Sequence, residues 1–132
     1  MAPEVMNQTG HDFLADIWSV GITAIELALG DAPHTNMTAM KVIMVILNGE
    51  PPKLPEEGPW SSEFRHFVSS CLKKEASKRP NVQELFAMNK AFFAKAKDAN
   101  YLKVSFLKNL PALKDRLDPA LQTKGVAFLN IN

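Results

Sequence analysis

Residues 15 to 30, with the sequence ADIWSVGITAIELALG, constrain this 132-residue chain more than any other segment. Its apolar residues fall on almost every side of a helix, so such a helix normally has neighbours on most faces, and we expect an exposed apolar patch where this chain does not supply them. Asp16 stands in its first turn, and Gly30 ends the pattern as a helix C-cap would. An acid suits a helix N-terminus, but a buried helix needs a reason for any charge. We therefore expect a partner for Asp16 outside this segment.

Helical periodicity recurs in the middle of the chain. A second helix is predicted from Thr38 to Asn48, and a third is predicted to begin after the N-cap Ser61. Their apolar stripes consist of Met40, Ile43, Met44 and Leu47 in the second helix and of Phe64, Phe67, Val68, Cys71 and Leu72 in the third. The methionine stripe is interpreted as core rather than as a cofactor site.

A fourth helix is predicted after Asn81, which forms a capping-box pattern with Glu84. Its apolar residues Val82, Leu85 and Phe86 are expected to face inward. Further helical segments are expected toward the C-terminus. No run of residues alternates between apolar and polar with period two, as a half-buried strand would. The fold class is therefore predicted to be all-α.

Composition excludes several classes of function. The fifteen basic and fourteen acidic residues nearly cancel, so nothing favours binding to nucleic acid or to an anionic membrane. The uncharged stretch from Ile17 to Ile25 falls well short of the ~20 residues that span a bilayer. Cys71 is the only cysteine, which fits a reducing, cytoplasmic location. The three histidines have no ligand at metal-binding spacing (His11, His34 and His66).

Three short motifs, in order, carry a resemblance to a known family. They are Ala2-Pro3-Glu4, then Asp16-Ile17-Trp18-Ser19 with Gly21, then Lys78-Arg79-Pro80. Together they resemble the second half of a protein kinase catalytic domain, in which Ala-Pro-Glu closes the activation segment. The segment GITAIELALG with the Ala-Pro loop after it is similar to the germinal-centre branch of the sterile-twenty serine/threonine kinases. Segments 92–97 and 110–113 are similar to the oxidative-stress-responsive and proline/alanine-rich kinases of that branch.

The resemblance implies a role for each matched residue. Asp16 would accept hydrogen bonds from the backbone of the catalytic loop, and Glu4 would form a buried ion pair with Arg79. Trp18 and Gly21 would be packing residues. The implied active-site scaffold consists of Ala2, Pro3, Glu4, Asp16, Trp18, Gly21 and Arg79. The simpler alternatives are a helix-terminal acid at Asp16 and a solvated cation at Arg79.

The catalytic motifs of a kinase do not occur in this sequence. It has no glycine-rich loop, strand lysine, His-Arg-Asp or Asp-Phe-Gly. The resemblance implies ATP and Mg²⁺ as cofactors of the intact enzyme, but no residue here is expected to catalyse, to bind ATP or to bind metal. Residues 1–113 are interpreted as the helical C-terminal-lobe portion of a kinase domain without its N-terminal lobe, and residues 114–132 as an unassigned extension.

The sequence therefore predicts a fragment of a serine/threonine kinase that supplies scaffold, with a docking surface on the helix around Met40. Protein substrates and upstream kinases are the partners that the resemblance implies. A non-catalytic helical interaction module is the alternative function. An unrelated helical bundle with chance motif matches is a third possibility.

Overall fold

The computed structural model describes residues 1–8, 10, 12–105 and 107–110, and all regular structure within these ranges is helical. The helices are α1 (Pro3–Met6), α2 (Leu14–Leu29), α3 (Ala39–Asn48), α4 (Ser62–Cys71), α5 (Val82–Met88), α6 (Lys90–Phe93) and α7 (Ala99–Ser105). Single 3₁₀ turns lie at Ala76–Lys78 and Leu107–Asn109. The predicted all-α fold is confirmed. The chain divides into two compact units, residues 1–95 and residues 96–132.

Helix α2 is the longest element of the first unit, and hydrogen bonds with adjacent residues cap both of its ends. The Asp12 side chain accepts a hydrogen bond from the Leu14 N–H at 2.8 Å. At the other end Gly30 adopts a left-handed conformation with φ of 87° and donates its N–H to the Glu26 carbonyl, which a residue without Cβ does most easily. The buried residues share one face (Ile17, Trp18, Gly21 and Ile25). The exposed apolar patch expected on α2 is present among the described residues, where Val20 is 43% exposed and Leu27 is 83% exposed.

Helix α4 packs directly against α2. The Ser61 hydroxyl caps α4 by accepting a hydrogen bond from the Phe64 N–H at 3.2 Å. Gly21 allows the two helices to approach closely, because a Cβ at this position would lie 2.7 Å from Leu72 Cγ and 2.8 Å from Cys71 Cβ. Burial raises the pKa of the Cys71 thiol to about 11, so the thiol stays protonated at neutral pH.

The methionine stripe of α3 lies at the surface rather than in the core. Met40 is 70% exposed and Met44 is 54% exposed, whereas Ile46 is the buried residue of this helix. The interpretation of the stripe as core is therefore wrong. Periodicity identified an apolar face correctly, but no described element covers its methionines.

Helix α5 has the predicted capping box, in which Asn81 and Glu84 exchange two hydrogen bonds of 2.9 Å. Only Leu85 of its three apolar positions is buried; Val82 and Phe86 are about half exposed, contrary to expectation. Phe86 nevertheless stacks on Phe93 of α6, with ring centroids 4.1 Å apart. The α6 rings extend this cluster to α4 through contacts with Phe64 and Phe67.

The second unit contains α7, whose first turn is capped by Asp98. The Asp98 carboxylate accepts a hydrogen bond from the Tyr101 N–H at 2.8 Å. Tyr101 and Leu102 are both about half exposed. The predicted extension 114–132 lies outside the described residues, and the boundary at residue 113 stays a prediction.

Candidate functional site: a buried arginine centre and an open groove

The Arg79 guanidinium joins three segments of the first unit. Its Nη1 and Nη2 atoms each donate to one carboxylate oxygen of Glu4 at 2.6 Å. Nη1 also donates to the Leu14 carbonyl at 2.8 Å, at the start of α2. Nε donates to the Lys73 carbonyl at 2.7 Å and Nη2 to the Lys74 carbonyl at 3.3 Å. The planar fork of arginine can serve all of these acceptors at once, which a lysine ammonium could not do with the same geometry.

The pair of Glu4 and Arg79 is buried. The Arg79 side chain has no exposed surface, and that of Glu4 is 12% exposed. The guanidinium also lies 5.3 Å from the centroid of the Trp18 ring, within the range of a cation–π interaction. Trp18 itself is fully buried, and its Nε1 atom has no hydrogen-bond partner among the described residues. The simpler interpretation of Arg79, as a solvated cation, is therefore wrong.

The first residues of the chain hold Glu4 in place. Ala2 is buried, and its carbonyl accepts hydrogen bonds from the N–H groups of Val5 and Met6 at 3.1 and 3.2 Å. Pro3 occupies the first position of α1, where its missing N–H costs nothing and its fixed φ suits the helix. The short α1 thus directs Glu4 toward Arg79.

Asp16 lies apart from this centre, on the exposed side of α2. Among the described residues, no donor reaches its carboxylate. Asp16 lines one end of an open groove of about 690 Å³ and is the only charged residue of the described lining. The structure therefore brings Glu4, Trp18 and Arg79 together, whereas Asp16 faces another surface.

The groove is otherwise almost wholly apolar. Helix α2 forms one wall, with Val20 at 43% exposure and Leu27 at 83%. Aromatic residues form the other wall (Trp60, Phe64, Phe67 and Phe92). An uncovered apolar surface on the longest helix of a domain marks an interaction site or a face that another part of the domain covers.

Arg65 holds the aromatic wall in place. Its guanidinium donates to the carbonyls of Pro55, Glu56 and Trp60, all in the loop that leads into α4. Trp60 in turn contacts Phe64 edge-on, with ring centroids 6.3 Å apart. The sequence predicted an exposed apolar patch on α2, but it did not predict the aromatic wall opposite that patch or the contacts of Arg65, because neither leaves a local signal.

No three His, Cys, Asp or Glu side chains in the described part of the chain come together as metal ligands would. None of the described helices has the length and apolar character needed to cross a membrane. His11 lies outside the described residues.

The comparisons with known proteins agree with the geometry. A family model described as "Protein kinase domain" matches residues 1–93. The serine/threonine-protein kinase fray2 of Dictyostelium discoideum is 44% identical over 118 residues, which cover 88% of this chain and 11% of that protein. Germinal center kinase 3 of Caenorhabditis elegans is 42% identical over 121 residues, covering 86% of this chain and 20% of that protein.

A third relative comes from another animal. The serine/threonine-protein kinase hippo of Drosophila melanogaster is 44% identical over 103 residues, covering 78% of this chain and 15% of that protein. The chain thus spans between 11% and 20% of the length of these three relatives. The match covers more than half of the chain, and the relatives are serine/threonine kinases. The chain therefore belongs to the protein kinase domain family and carries part of a serine/threonine kinase of the sterile-twenty group.

Proposed function

We propose that this chain serves as the helical scaffold of a serine/threonine kinase whose complete form transfers the γ-phosphoryl group of ATP to protein hydroxyls. The buried pair of Glu4 and Arg79 is the observation that carries the proposal, because it ties α1, the start of α2 and the loop before α5 into one unit. Phosphoryl transfer depends largely on positioning and electrostatic stabilisation, so a rigid support for the reacting groups is part of the catalyst.

Asp16 is the proposed anchor for the catalytic loop of the complete domain. Its carboxylate is exposed and lies beside an apolar groove, so both would be covered by the same neighbouring segment. A carboxylate accepts several N–H donors at once, and such charge-assisted bonds are stronger than neutral ones. ATP and Mg²⁺ would be bound by that other part of the domain, and the complete kinase is proposed to be cytoplasmic.

Helix α3 is the proposed docking surface for protein substrates or upstream kinases. Met40 and Met44 are one helical turn apart, and both are more than half exposed. Methionine side chains are flexible and polarisable, so such a face adapts to partners of different shape.

The alternative function is a non-catalytic interaction module that is complete without the rest of a kinase domain. Mixing the chain with the catalytic-loop portion of a relative's kinase domain separates the two functions. We expect the chain alone to transfer no phosphate, to bind a hydrophobic dye, and to form a complex with that portion.

Val20→Glu should weaken the complex and the dye binding, whereas the matched control Val82→Glu should leave both unchanged. Val20 lines the groove and is 43% exposed, while Val82 is 50% exposed and lies outside the described lining. A monodisperse chain that binds neither dye nor the kinase portion would favour the self-contained module. Mg²⁺-dependent phosphorylation by the pure chain would overturn the proposal that this chain is a scaffold and that the catalytic groups lie in another part of the domain.

A further inference from the structure

The C-terminal end of α3 lacks the features that normally terminate a helix. Gly49 follows the helix in an extended conformation, φ −86° and ψ −177°, rather than in the left-handed conformation of a common C-cap. No basic residue occupies the last turn, where a cation would offset the negative end of the helix dipole. The Val45 carbonyl accepts a hydrogen bond from the Gly49 N–H at 2.7 Å, but the carbonyl groups that follow it need partners from elsewhere in the chain.

Lys74 supplies these partners from the loop that follows α4. Its Nζ atom donates to the Leu47 carbonyl at 2.7 Å and to the Gly49 carbonyl at 2.8 Å. The ammonium group thus satisfies two acceptors and places a positive charge at the negative end of α3. These bonds join residues 27 and 25 positions apart in sequence, so they fix α3 against the loop after α4.

The backbone of this loop is held by the arginine centre. Arg79 donates to the Lys73 carbonyl at 2.7 Å and to the Lys74 carbonyl at 3.3 Å. The same guanidinium binds both carboxylate oxygens of Glu4. A continuous series of hydrogen bonds therefore runs from Glu4 through Arg79 and Lys74 to the end of α3.

We propose that Lys74 is a positioning residue that couples the Glu4–Arg79 pair to the C-terminal turn of α3. When the pair is formed, the loop backbone holds Lys74 where its ammonium can reach α3; when the pair is lost, α3 frays at this end. This coupling is a property of the folded chain and does not depend on the proposed function. Only its effect on partners that bind the exposed methionines of α3 rests on that function.

Amide hydrogen exchange of the full 132-residue chain, measured by NMR without any partner, tests this coupling. The reporters are the backbone amides of Asn48 and Gly49 in the last turn of α3. Loss of a hydrogen bond to a charged group should accelerate their exchange about tenfold in Lys74→Met. The adjacent exposed Lys73 offers a matched control, so Lys73→Met should leave the rates unchanged. Lys74→Arg, which keeps the charge, should restore most of the protection.

The relay itself is tested by Glu4→Gln in two backgrounds. In the otherwise unchanged chain this substitution should also accelerate exchange at Asn48 and Gly49. In the Lys74→Met background it should add nothing at these two amides. Equal acceleration in both backgrounds would show that α1 affects α3 by direct contact and would refute the relay. Equal rates for Lys74→Met and Lys73→Met would refute the role of Lys74. Neither result depends on kinase activity, so each is distinct from failure of the proposed function.

Discussion

Breaking the buried pair of Glu4 and Arg79 should destabilise the fold strongly and in a coupled way. Arg79→Met removes a side chain with no exposed surface and leaves the Glu4 carboxylate, 12% exposed, without that guanidinium. It also removes the donors to the carbonyls of Leu14, Lys73 and Lys74. Loss of one partner of a buried pair typically costs ~3–5 kcal/mol, and we expect Arg79→Met to fall in this range.

Glu4→Gln should cost less, roughly 1.5–3 kcal/mol, the usual range for a hydrogen bond to a charged group. The guanidinium keeps its three backbone carbonyl partners in this variant, and the amide oxygen of glutamine can still accept one bond. If the two side chains interact, the double variant should lose at least ~1.5 kcal/mol less than the sum of the single variants. Urea unfolding of all four proteins, followed by the tryptophan fluorescence to which Trp18 and Trp60 both contribute, measures these costs.

A surface pair in the same unit provides the control. Lys78 and Glu75 are 2.8 Å apart, but their side chains are 67% and 64% exposed. Exposed pairs contribute about 0–1 kcal/mol, so their double-variant cycle should show little coupling. Additive effects of Glu4→Gln and Arg79→Met, within about 0.5 kcal/mol, would refute the reasoning from burial.

Two further predictions concern pH and close packing. The hydrogen bond from Lys95 is the main cause that lowers the pKa of Glu63 from 4.5 to about 2. The stability that this pair contributes is therefore present above pH 4.5 and is lost as the pH falls toward 2. In Glu63→Gln the urea midpoint should depend less on pH across that range than in the unchanged chain. The same pH dependence in both proteins would contradict this prediction. Gly21→Ala should lower the free energy of unfolding in urea by ~1–3 kcal/mol, because the added Cβ would overlap Leu72 and Cys71. An unfolding midpoint equal to that of the unchanged chain would show that these neighbours move aside freely.

Local signals in the sequence were sufficient for most helices. The left-handed Gly30, the Ser61 cap and the capping box of Asn81 with Glu84 all depend on residues within four positions of one another, and the structure has each of them. Element type and boundary follow from such short-range chemistry, which is why α2, α4 and α5 were predictable.

Coverage of an apolar face could not be predicted in the same way. Periodicity locates the apolar side of α3, yet whether Met40 and Met44 are buried depends on what another segment places over them. The same holds for Val82 of α5. Lys74 illustrates the second limit, since its bonds to α3 join residues far apart in sequence and leave no local pattern. Only the family resemblance pointed to a contact between Glu4 and Arg79.

The role of Asp16 is the part of the proposed function that one comparison tests most directly. In the 132-residue chain its carboxylate is exposed, so Asp16→Asn should cost only ~0.3–1 kcal/mol through the helix dipole. In a longer protein that joins the catalytic-loop portion of a relative's kinase domain ahead of Met1, the same substitution removes a charged acceptor from buried donors. The cost there should rise to roughly 1.5–3 kcal/mol in urea unfolding. Equal destabilisation of the two proteins would show that Asp16 is an ordinary helix-terminal acid and would contradict the proposed anchor.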